Sequence, residues 1–240
     1  MKTLIHRILY RTLPFEGYLR AVSRMFFVWQ RLGIGRYAPT TEYVYHLGRR
    51  GDTCIDIGAN LGYYARTISR LTGPEGRVYA VEPVEPIRRV LERNLRCCRN
   101  VEILPYALGT ESRTVAMGND SARETGYFGT GQNFVNDSAR QTDTAFTAEM
   151  RRGSELFARL KRLDFIKCDI EGYELVVMRE MQPLLERFRP TVLIETGGAN
   201  RPEIIRLFTG LGYAGYTLEH GREVPLTEDS TKDIIFRHAH

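Results

Sequence analysis

Two short segments, with one carboxylate between them, hold most of the residues in this 240-residue chain whose types and spacing could do chemistry. The first segment reads Asp56-Ile-Gly-Ala-Asn-Leu-Gly62 and lies where an apolar run gives way to an amphipathic one. Gly58 lets the backbone approach a ligand closely, because glycine has no Cβ. A helix that begins after Asn60 offers free N–H groups and a positive dipole end to a carboxylate. With Asp56 as the acceptor for an ammonium, this turn predicts a site for the amino-acid end of a ligand.

Glu82 ends the next apolar run, 20 residues after Gly62. A carboxylate there can accept from both hydroxyls of a ribose, as the acid at the matching place in dinucleotide-binding folds does. The turn lacks the GxGxxG pattern that cradles a pyrophosphate, so NAD is the weaker interpretation. A tight turn without any ligand is the alternative, and the combination of Asp56, Asn60 and Glu82 counts against it. An amino-acid end and a ribose together predict S-adenosylmethionine (SAM).

The second segment reads Ile166-Lys-Cys-Asp-Ile-Glu-Gly172, with Glu174 two residues further on. It ends a later apolar strand, and ligands of α/β sheets bind outside the carboxyl ends of strands, where the strand order reverses. The acids close to this strand mark Lys167, Asp169 and Glu171 as candidate reactive groups. A solvated loop with a buried Lys167–Asp169 ion pair is the alternative.

The elements around these segments alternate between short strands and amphipathic helices. We predict strands at Thr53–Ile57, Val78–Val81, Val101–Leu104, Asp164–Cys168, Thr191–Ile194, Tyr213–Leu218 and Asp233–Arg237. We predict helices from a cap at Asn60 to Leu71, over Glu85–Cys98, over Tyr173–Glu186 and over Pro202–Gly210. This order is typical of a parallel sheet with crossover helices. Residues 110–150 break the pattern, and we predict a short hairpin near Thr114–Met117 followed by a long loop.

The motifs, taken in their order, resemble the FkbM family of SAM-dependent methyltransferases. The resemblance is carried by Asp56–Gly62, Val81-Glu82-Pro83, Asn94, Ala107-Leu108, Ile166–Glu174 and Pro190–Glu195. It covers about residues 50–110 and 160–236. It implies a Rossmann-like class I methyltransferase fold, a mostly parallel seven-stranded sheet with helices on both faces and a final antiparallel strand. It also implies O-methylation, often in glycan or natural-product pathways.

Two departures from the family pattern bear on substrate choice rather than on SAM binding. The family's Thr-Leu-Asp-Asp-like segment before the fourth strand has no counterpart in Gln141–Arg162, and the basic N-terminal helices lie outside the core pattern. The expected SAM-binding residues are Asp56, Gly58, Ala59, Asn60, Gly62, Glu82, Ala107 and Asp169.

A hydroxyl acceptor needs a group to take its proton, since it is weakly acidic. Asp169 is the first candidate, with Lys167, Glu171 and Glu195 around it. In the implied sheet, Asp169 and Glu195 end neighbouring strands and could hold Mg²⁺ through oxygen ligands, although metal use is the less favoured version.

The loop Gly126–Phe134 is the predicted acceptor site. Its glycines allow motion, its aromatic rings can cover a sugar face, and its amides can bond hydroxyls. The residues concerned are Tyr127, Phe128, Gln132, Asn133 and Phe134. A disordered surface insertion is the alternative.

The net charge of +5 is concentrated at the N-terminus, because residues 1–50 carry nine Lys/Arg and two acids and leave −2 for the rest. A nucleic-acid groove across the main domain is therefore not expected. We divide the chain into a basic helical extension, residues 1–50, and a methyltransferase domain, residues 51–240, with a variable insertion at 110–150. The extension has helices predicted at 3–13 and 18–32 and a third that begins after Thr40–Thr41.

Two uses of the extension stay open. Its apolar stripe can cover the catalytic domain or a second subunit in a homo-oligomer, or it can make peripheral contact with an anionic membrane. Four cysteines without metal spacing, and no clear signal peptide, favour a cytoplasmic location, with the inner face of the membrane as a variant.

Three classes of protein compete with a SAM-dependent O-methyltransferase acting on a small-molecule or glycan acceptor. A nucleic-acid amino-methyltransferase would show an Asn/Asp-Pro-Pro-aromatic motif, and this chain has Asp169-Ile-Glu-Gly172 instead. An NAD-dependent enzyme is disfavoured by the glycine pattern. An inactive SAM-binding or membrane-associated partner protein of a glycan pathway is the third, and the presence of Glu82 and Asp169 counts against it.

Overall fold

The computed structural model describes residues 2–33, 43–138, 140–228 and 230–239. Its strands are β1 (Thr53–Ile57), β2 (Arg77–Val81), β3 (Val101–Leu104), β4 (Tyr106–Leu108), β5 (Arg113–Asn119), β6 (Phe134–Val135), β7 (Thr144–Arg151), β8 (Phe165–Cys168), β9 (Thr191–Glu195), β10 (Tyr213–Glu219), β11 (Arg222–Pro225) and β12 (Asp233–His238). Its helices are α1 (Lys2–Thr12), α2 (Phe15–Arg31), α3 (43–47), α4 (Tyr63–Thr72), α5 (Glu85–Leu95), α6 (Ser121–Thr125), α7 (Gly153–Leu156), α8 (Glu174–Glu180), α9 (Gln182–Phe188) and α10 (Arg201–Gly210), with a 3-10 turn at Gly198–Asn200.

The main sheet has the strand order β11-β10-β12-β9-β8-β1-β2-β3. All neighbouring pairs from β9 to β3 are parallel, whereas β12 runs antiparallel to both β9 and β10. The α/β fold with a mostly parallel sheet and a late antiparallel strand is therefore confirmed. The chain runs outward from β1 to β3 and then returns to β8 on the other side of β1. This reversal makes the carboxyl ends of β1 and β8 the place where a ligand is expected to bind.

The main sheet has one strand more than the seven expected. Glu219 and Arg222 face each other in the register of β10 and β11, so only two residues connect these strands. His220 and Gly221 both have positive φ, 51° and 74°. A two-residue turn with positive φ at both positions matches the twist of a hairpin. The histidine-glycine pair thus adds β11 to the edge of the sheet.

Strand side chains alternate between two apolar layers, as the pleat of a sheet requires. One face carries Ile55 and Ile166 into a core with the residues of α8, α9 and α10. The opposite face carries Cys54 and Phe165 into a core with α3 and α4. Helices therefore cover both faces of the sheet, and its central strands are buried throughout.

The insertion forms a second sheet instead of the long loop predicted for residues 110–150. Its strand order is β4-β7-β5-β6, and β7 pairs with β5 along its length from Asn119↔Thr144 to Arg113↔Met150. The C-terminal part of β7 alternates, with Ala148 and Met150 buried and their neighbours more exposed. The prediction of a loop was wrong because glycine and polar residues dominate the stretch before β7 and hide this alternation.

Two predicted helices have different bounds. The predicted helix Tyr173–Glu186 is split into α8 and α9 around Met181, because Pro183 in the first turn of α9 lacks a backbone N–H and cannot continue the preceding helix. The helix after the first segment begins only at Tyr63. Asn60 is not its cap: Asn60 has φ 51° and its backbone N–H donates to Glu82.

The N-terminal helices pack on the catalytic domain. Tyr18, Leu19 and Val22 of α2 are buried in one cluster with residues of α5, β5 and β7. Asn94 of α5 donates to the Ser23 hydroxyl at 2.6 Å. The predicted starting point of the third helix lies outside the described residues. One face of α2 is therefore part of the same core as the insertion.

The Tyr18 hydroxyl joins α2 to the insertion, since it donates to the buried carbonyl of Phe128 at 2.6 Å. We expect Tyr18→Phe to lower the free energy of unfolding by about 1–2 kcal/mol, because the carbonyl would lose its partner inside the protein. Urea denaturation measures this change. Tyr10→Phe is the matched control: Tyr10 packs edge-on against Tyr18, and its hydroxyl bonds to no described residue. Equal losses in both variants would contradict the role of this hydrogen bond.

Candidate active site

A cleft opens at the carboxyl ends of β1, β2 and β8, at the reversal of strand order. It encloses about 780 Å³ of space, including the part open to solvent. The strand ends contribute Gly58, Glu82, Lys167 and Asp169 to its lining, and the insertion contributes the opposite wall. The two segments singled out in the sequence therefore meet in one cleft, although 109 residues separate Gly58 from Lys167 along the chain.

Gly58 is required by the close approach of two chain segments. It has φ 79°, and a Cβ built on it would overlap the carbonyl oxygen of Asp169. The N–H groups of Gly58 and Ala59 both donate to the carbonyl of Val81, at 3.1 and 2.9 Å. Glycine at this position thus lets the turn after β1 close against both neighbouring strand ends, and both residues line the cleft as predicted.

Gly62 has a packing role and does not line the cleft. Its φ is 89°, and an added Cβ would lie 2.9 Å from the Leu91 side chain of α5. Gly62 thus allows α4 and α5 to approach each other at the start of α4. The place of Gly62 among the SAM-binding residues stays a prediction.

Glu82 is buried at the bottom of the cleft, with both carboxylate oxygens partly engaged. Its Oε1 accepts from the N–H of Val84 and its Oε2 from the N–H of Asn60, each at 2.9 Å. Burial raises the pKa of Glu82 to about 7, against the opposing effect of these two donors. Each oxygen keeps lone-pair capacity for another donor. A pair of neighbouring ribose hydroxyls fits this arrangement.

Lys167 is a buried cation between two carboxylates. Its Nζ lies 3.3 Å from Oδ2 of Asp169 and 3.7 Å from Oδ1 of Asp56, and it donates to the Gly58 carbonyl at 3.3 Å. Burial lowers the pKa of Lys167, but Asp169 and Asp56 together outweigh burial and hold the pKa above its ordinary value. The two carboxylates therefore favour the protonated form of Lys167. The buried Lys167–Asp169 ion pair, left open by the sequence, is present.

Asp56 lies behind this lysine rather than in the cleft. Its side chain is fully buried, and neither oxygen has a hydrogen-bond partner within reach among the described residues. Burial raises its pKa, while Lys167 lowers it. The structure thus makes Asp56 a charge partner of Lys167, and any contact with a ligand ammonium would have to be indirect.

The loop after β8 presents two carboxylates to the cleft, Asp169 and Glu171. Glu171 has φ 54° and Gly172 has φ 100°, and the Glu174 carboxylate fixes this turn by accepting from the N–H groups of Ile170 and Gly172. The Glu171 side chain is exposed at the rim. Partial desolvation by the surrounding loop, together with the negative charge of Asp169, raises the pKa of Glu171 to about 7. Glu171 can therefore exchange a proton near neutral pH.

Glu195 ends β9, the strand that pairs with β8. It does not line the cleft, and its side chain forms an ion pair with Lys232. Within the described part of the chain, no group of three or more His, Cys, Asp or Glu side chains could hold a metal ion. The pair Asp169 and Glu195 as ligands of Mg²⁺ stays a prediction.

Of the five residues predicted for the acceptor, only Asn133 lines this cleft. Phe128 is fully buried, packed against two other phenylalanine rings, because the loop turns inward there. Tyr127 packs against a histidine ring of α1, and Gln132 folds back over Gly129. Phe134 lines a neighbouring groove.

The cleft wall contains residues that sequence reasoning missed. Ala107, in the middle of β4, lines the cleft. The additional lining residues are Tyr63, Tyr64, Tyr106, Met117, Thr130, Val135 and Tyr173. Of these, Tyr173 could have been identified from the sequence, since it directly follows the second segment.

Comparison with known proteins assigns the family. The model of the methyltransferase FkbM domain matches residues 56–216, so the chain belongs to this family of SAM-dependent methyltransferases. A crystal structure of a methyltransferase FkbM from Methylobacillus flagellatus KT has the same fold, with a TM-score of 0.52 and 14% identity over 85% of this chain and 56% of that one.

Two curated relatives are similar over shorter stretches. The protein-L-isoaspartate O-methyltransferase of Ignicoccus hospitalis is 33% identical over 73 residues, 30% of each chain. Its counterpart in Methanosarcina mazei is 34% identical over 77 residues, 32% of this chain and 28% of the relative. The match therefore spans about a third or less of these relatives. SAM, the cofactor of the family, contains a ribose whose hydroxyls could donate to the Glu82 carboxylate.

We expect Glu82→Ala to weaken the binding of S-adenosylhomocysteine by about 2–3 kcal/mol, since two hydroxyls would lose a charged acceptor. Isothermal titration calorimetry measures the dissociation constant. Glu85→Gln is the control, because Glu85 is an exposed residue that pairs only with Arg89. Unchanged affinity in the Glu82 variant would contradict the assignment.

The affinity should also depend on pH through Glu82. Ribose hydroxyls donate to the ionised carboxylate, so binding should weaken as the pH falls below about 7, by up to about tenfold per pH unit. Titrations between about pH 5.5 and 8 in buffers of different ionisation enthalpy would detect the proton released on binding. Glu82→Gln should bind more weakly at high pH and lose most of this dependence; an unaltered pH profile in that variant would refute the role of Glu82.

Proposed function

We propose that the protein transfers a methyl group from SAM to a hydroxyl of a small-molecule or glycan acceptor. The observation that supports this proposal is the pair of carboxylates, Asp169 and Glu171, in the lining of the same cleft as the buried carboxylate of Glu82. An acceptor hydroxyl must lose a proton, and a carboxylate is a suitable group to receive it. The Asp169-Ile-Glu-Gly172 turn also lacks the Pro-Pro-aromatic motif of nucleic-acid amino-methyltransferases.

Bound SAM would supply an electrophilic methyl group. The protein's contribution is binding and positioning, which can provide most of the rate enhancement in such a transfer. Glu82 would hold the ribose, and the turn at Gly58 and Ala59 would border the cofactor. The Lys167 ammonium would hold the neighbouring carboxylates of Asp56 and Asp169 in place through ion pairs, because a charge left unpaired inside the protein is costly.

We assign the proton transfer to Glu171 and the orientation of the hydroxyl to Asp169. The sequence ranked Asp169 first, but the Asp169 carboxylate lies 3.3 Å from the Lys167 ammonium and is engaged in an ion pair with it. The pKa of Glu171, about 7, is matched to a proton transfer near neutral pH. Its exposed position gives the proton a direct path to solvent.

The acceptor end of the cleft combines aromatic and hydrogen-bonding side chains. Tyr106 and Tyr173 supply ring faces, and Thr130 and Asn133 supply hydrogen-bonding groups. Tyr173 is held by a hydrogen bond of 3.0 Å to Asp137 of the insertion. Rigid rings next to a few polar groups favour a hydroxylated ring, such as a sugar, as the acceptor.

The proposed reaction can be tested by mass spectrometry of glycans from cells with and without the gene, followed by assays with the acceptor found. We expect Glu171→Gln to lower kcat about 10²- to 10⁴-fold and to remove the rise in rate around pH 7, because the base is lost. Asp169→Asn should lower kcat and also raise KM for the acceptor, since the acceptor hydroxyl would be misplaced. Glu155→Gln, an exposed position on α7, is the control.

A protein that binds S-adenosylhomocysteine but transfers no methyl group would favour the inactive partner protein instead. Full activity in Glu171→Gln, with an unchanged pH profile, would exclude Glu171 as the base.

A further inference from the structure

The outward faces of α1 and α2 carry an unusual mixture of residues. In the parts of the chain that the structure describes, every exposed large apolar side chain lies between residues 4 and 45. These residues are Leu4, Ile8, Leu13, Val28, Leu32 and Tyr45. Five of them are more than half exposed: Leu4, Ile8, Val28 and Leu32, at 61%, 52%, 54% and 63%, and Tyr45 of α3, at 56%. The structure thus concentrates its exposed apolar surface on the N-terminal helices.

This apolar surface is not left over from packing against the catalytic domain. The opposite face of α2 is the one that enters the core, through Tyr18, Leu19 and Val22. The outer face of α2 carries four solvent-exposed residues at helical spacing: Arg20, Arg24, Val28 and Arg31. A second function is needed to explain a helix that is apolar on its buried face and mixed apolar and basic on its outer face.

Arginines alternate with the apolar residues on these two faces. Arg11, Arg24 and Arg31 are exposed and make no ion pair with any residue that the structure describes. α1 and α2 contain a single acid, Glu16, and its charge is taken by Arg20. The outer faces are therefore positively charged without compensation.

We propose that the outer faces of α1 and α2 dock the protein on an anionic membrane surface. Exposed leucine, isoleucine and valine side chains would enter the headgroup boundary, and the arginines would pair with lipid phosphates. None of the helices formed by the described residues is long and apolar enough to cross a membrane, so the contact is peripheral.

Two other partners suit these faces less well. The buried centre of an interface with a second copy is depleted of charges, whereas here unpaired arginines lie among the apolar residues. A nucleic acid would use the arginines but would gain nothing from Leu4 or Ile8, and residues 51–240 carry a net charge of −2.

The docked helices also hold the loop that borders the cleft. The Arg7 side chain donates to the Thr125 carbonyl at 2.6 Å, and the Tyr18 hydroxyl donates to the Phe128 carbonyl. This loop continues to Thr130 and Gly131, which line the cleft. Membrane contact would therefore be made by the elements next to the acceptor entrance.

The test is co-sedimentation of the full chain with vesicles of phosphatidylcholine alone or with about one third phosphatidylglycerol. We expect binding only to the anionic vesicles, weakening as salt is raised, since salt screens the arginines. The variant R11Q/R24Q/R31Q should lower the partition coefficient about 100-fold, at roughly fivefold per arginine. The variant L4Q/I8Q/V28Q should reduce binding at both low and high salt.

The matched control is R159Q/K161Q/R206Q, which removes three exposed cations from the catalytic domain that make no ion pair with described residues. It should bind within about fivefold of the unaltered protein, and all variants should keep the same affinity for S-adenosylhomocysteine. Equal losses in the control and the arginine variant would overturn the proposal, as would no binding of the unaltered protein to anionic vesicles. Concentration-dependent dimers lost in L4Q/I8Q/V28Q, without vesicle binding, would identify a second copy as the partner. Salt-sensitive binding to RNA but not to vesicles would identify a nucleic acid.

Discussion

The buried ammonium of Lys167 is the interaction on which the cleft depends. A charge taken out of water is costly unless it is paired, and this one is paired with Asp56 of β1 and Asp169 of the loop after β8. It also donates to the Gly58 carbonyl, so it connects the two strand ends on either side of the reversal of strand order. Removal of either carboxylate would leave part of this charge uncompensated and would loosen the turn that borders the cofactor. The lysine thus connects the strand ends that form the cleft.

Glu82 plays a similar structural part on the other side of β1. Before any ligand binds, its oxygens already hold the N–H groups of Asn60 and Val84 and so fix the positions of two turns. The raised pKa is the cost of placing this carboxylate in the interior. A carboxylate that fixes two turns and whose pKa is raised to about 7 can gain further interactions when a ligand supplies more donors. Under the proposed function, organisation of the cleft and recognition of the ribose would depend on the same side chain.

Much of the sheet could be predicted from the sequence, because short apolar strands bounded by turn residues are readable locally. Local sequence patterns did not predict features that depend on tertiary contacts. Gly58 and Gly62 look alike in the motif, yet Gly58 borders the cleft and Gly62 allows α4 to pack on α5. Phe128 looked like a cover for a sugar, and only the fold shows that it is buried. The sequence offered the ion pair between Lys167 and Asp169 as an alternative. The second ion pair of Lys167, with Asp56, results from the pairing of β1 with β8, which no local sequence pattern encodes.

The shared core of α2 and the insertion has a consequence for how acceptor preference could diversify among related enzymes. Residues 106–151 build one wall of the cleft, and their sheet is separate from the one that carries the cofactor site. A foreign insertion grafted onto this chain would still have to match the surface of α2, since Tyr18 is bonded to it and Val115 and Met117 share a cluster with Leu19. An exchange of the insertion between related enzymes would therefore have to include the N-terminal helices, which are distant in the sequence. The strands between these two segments could stay unchanged.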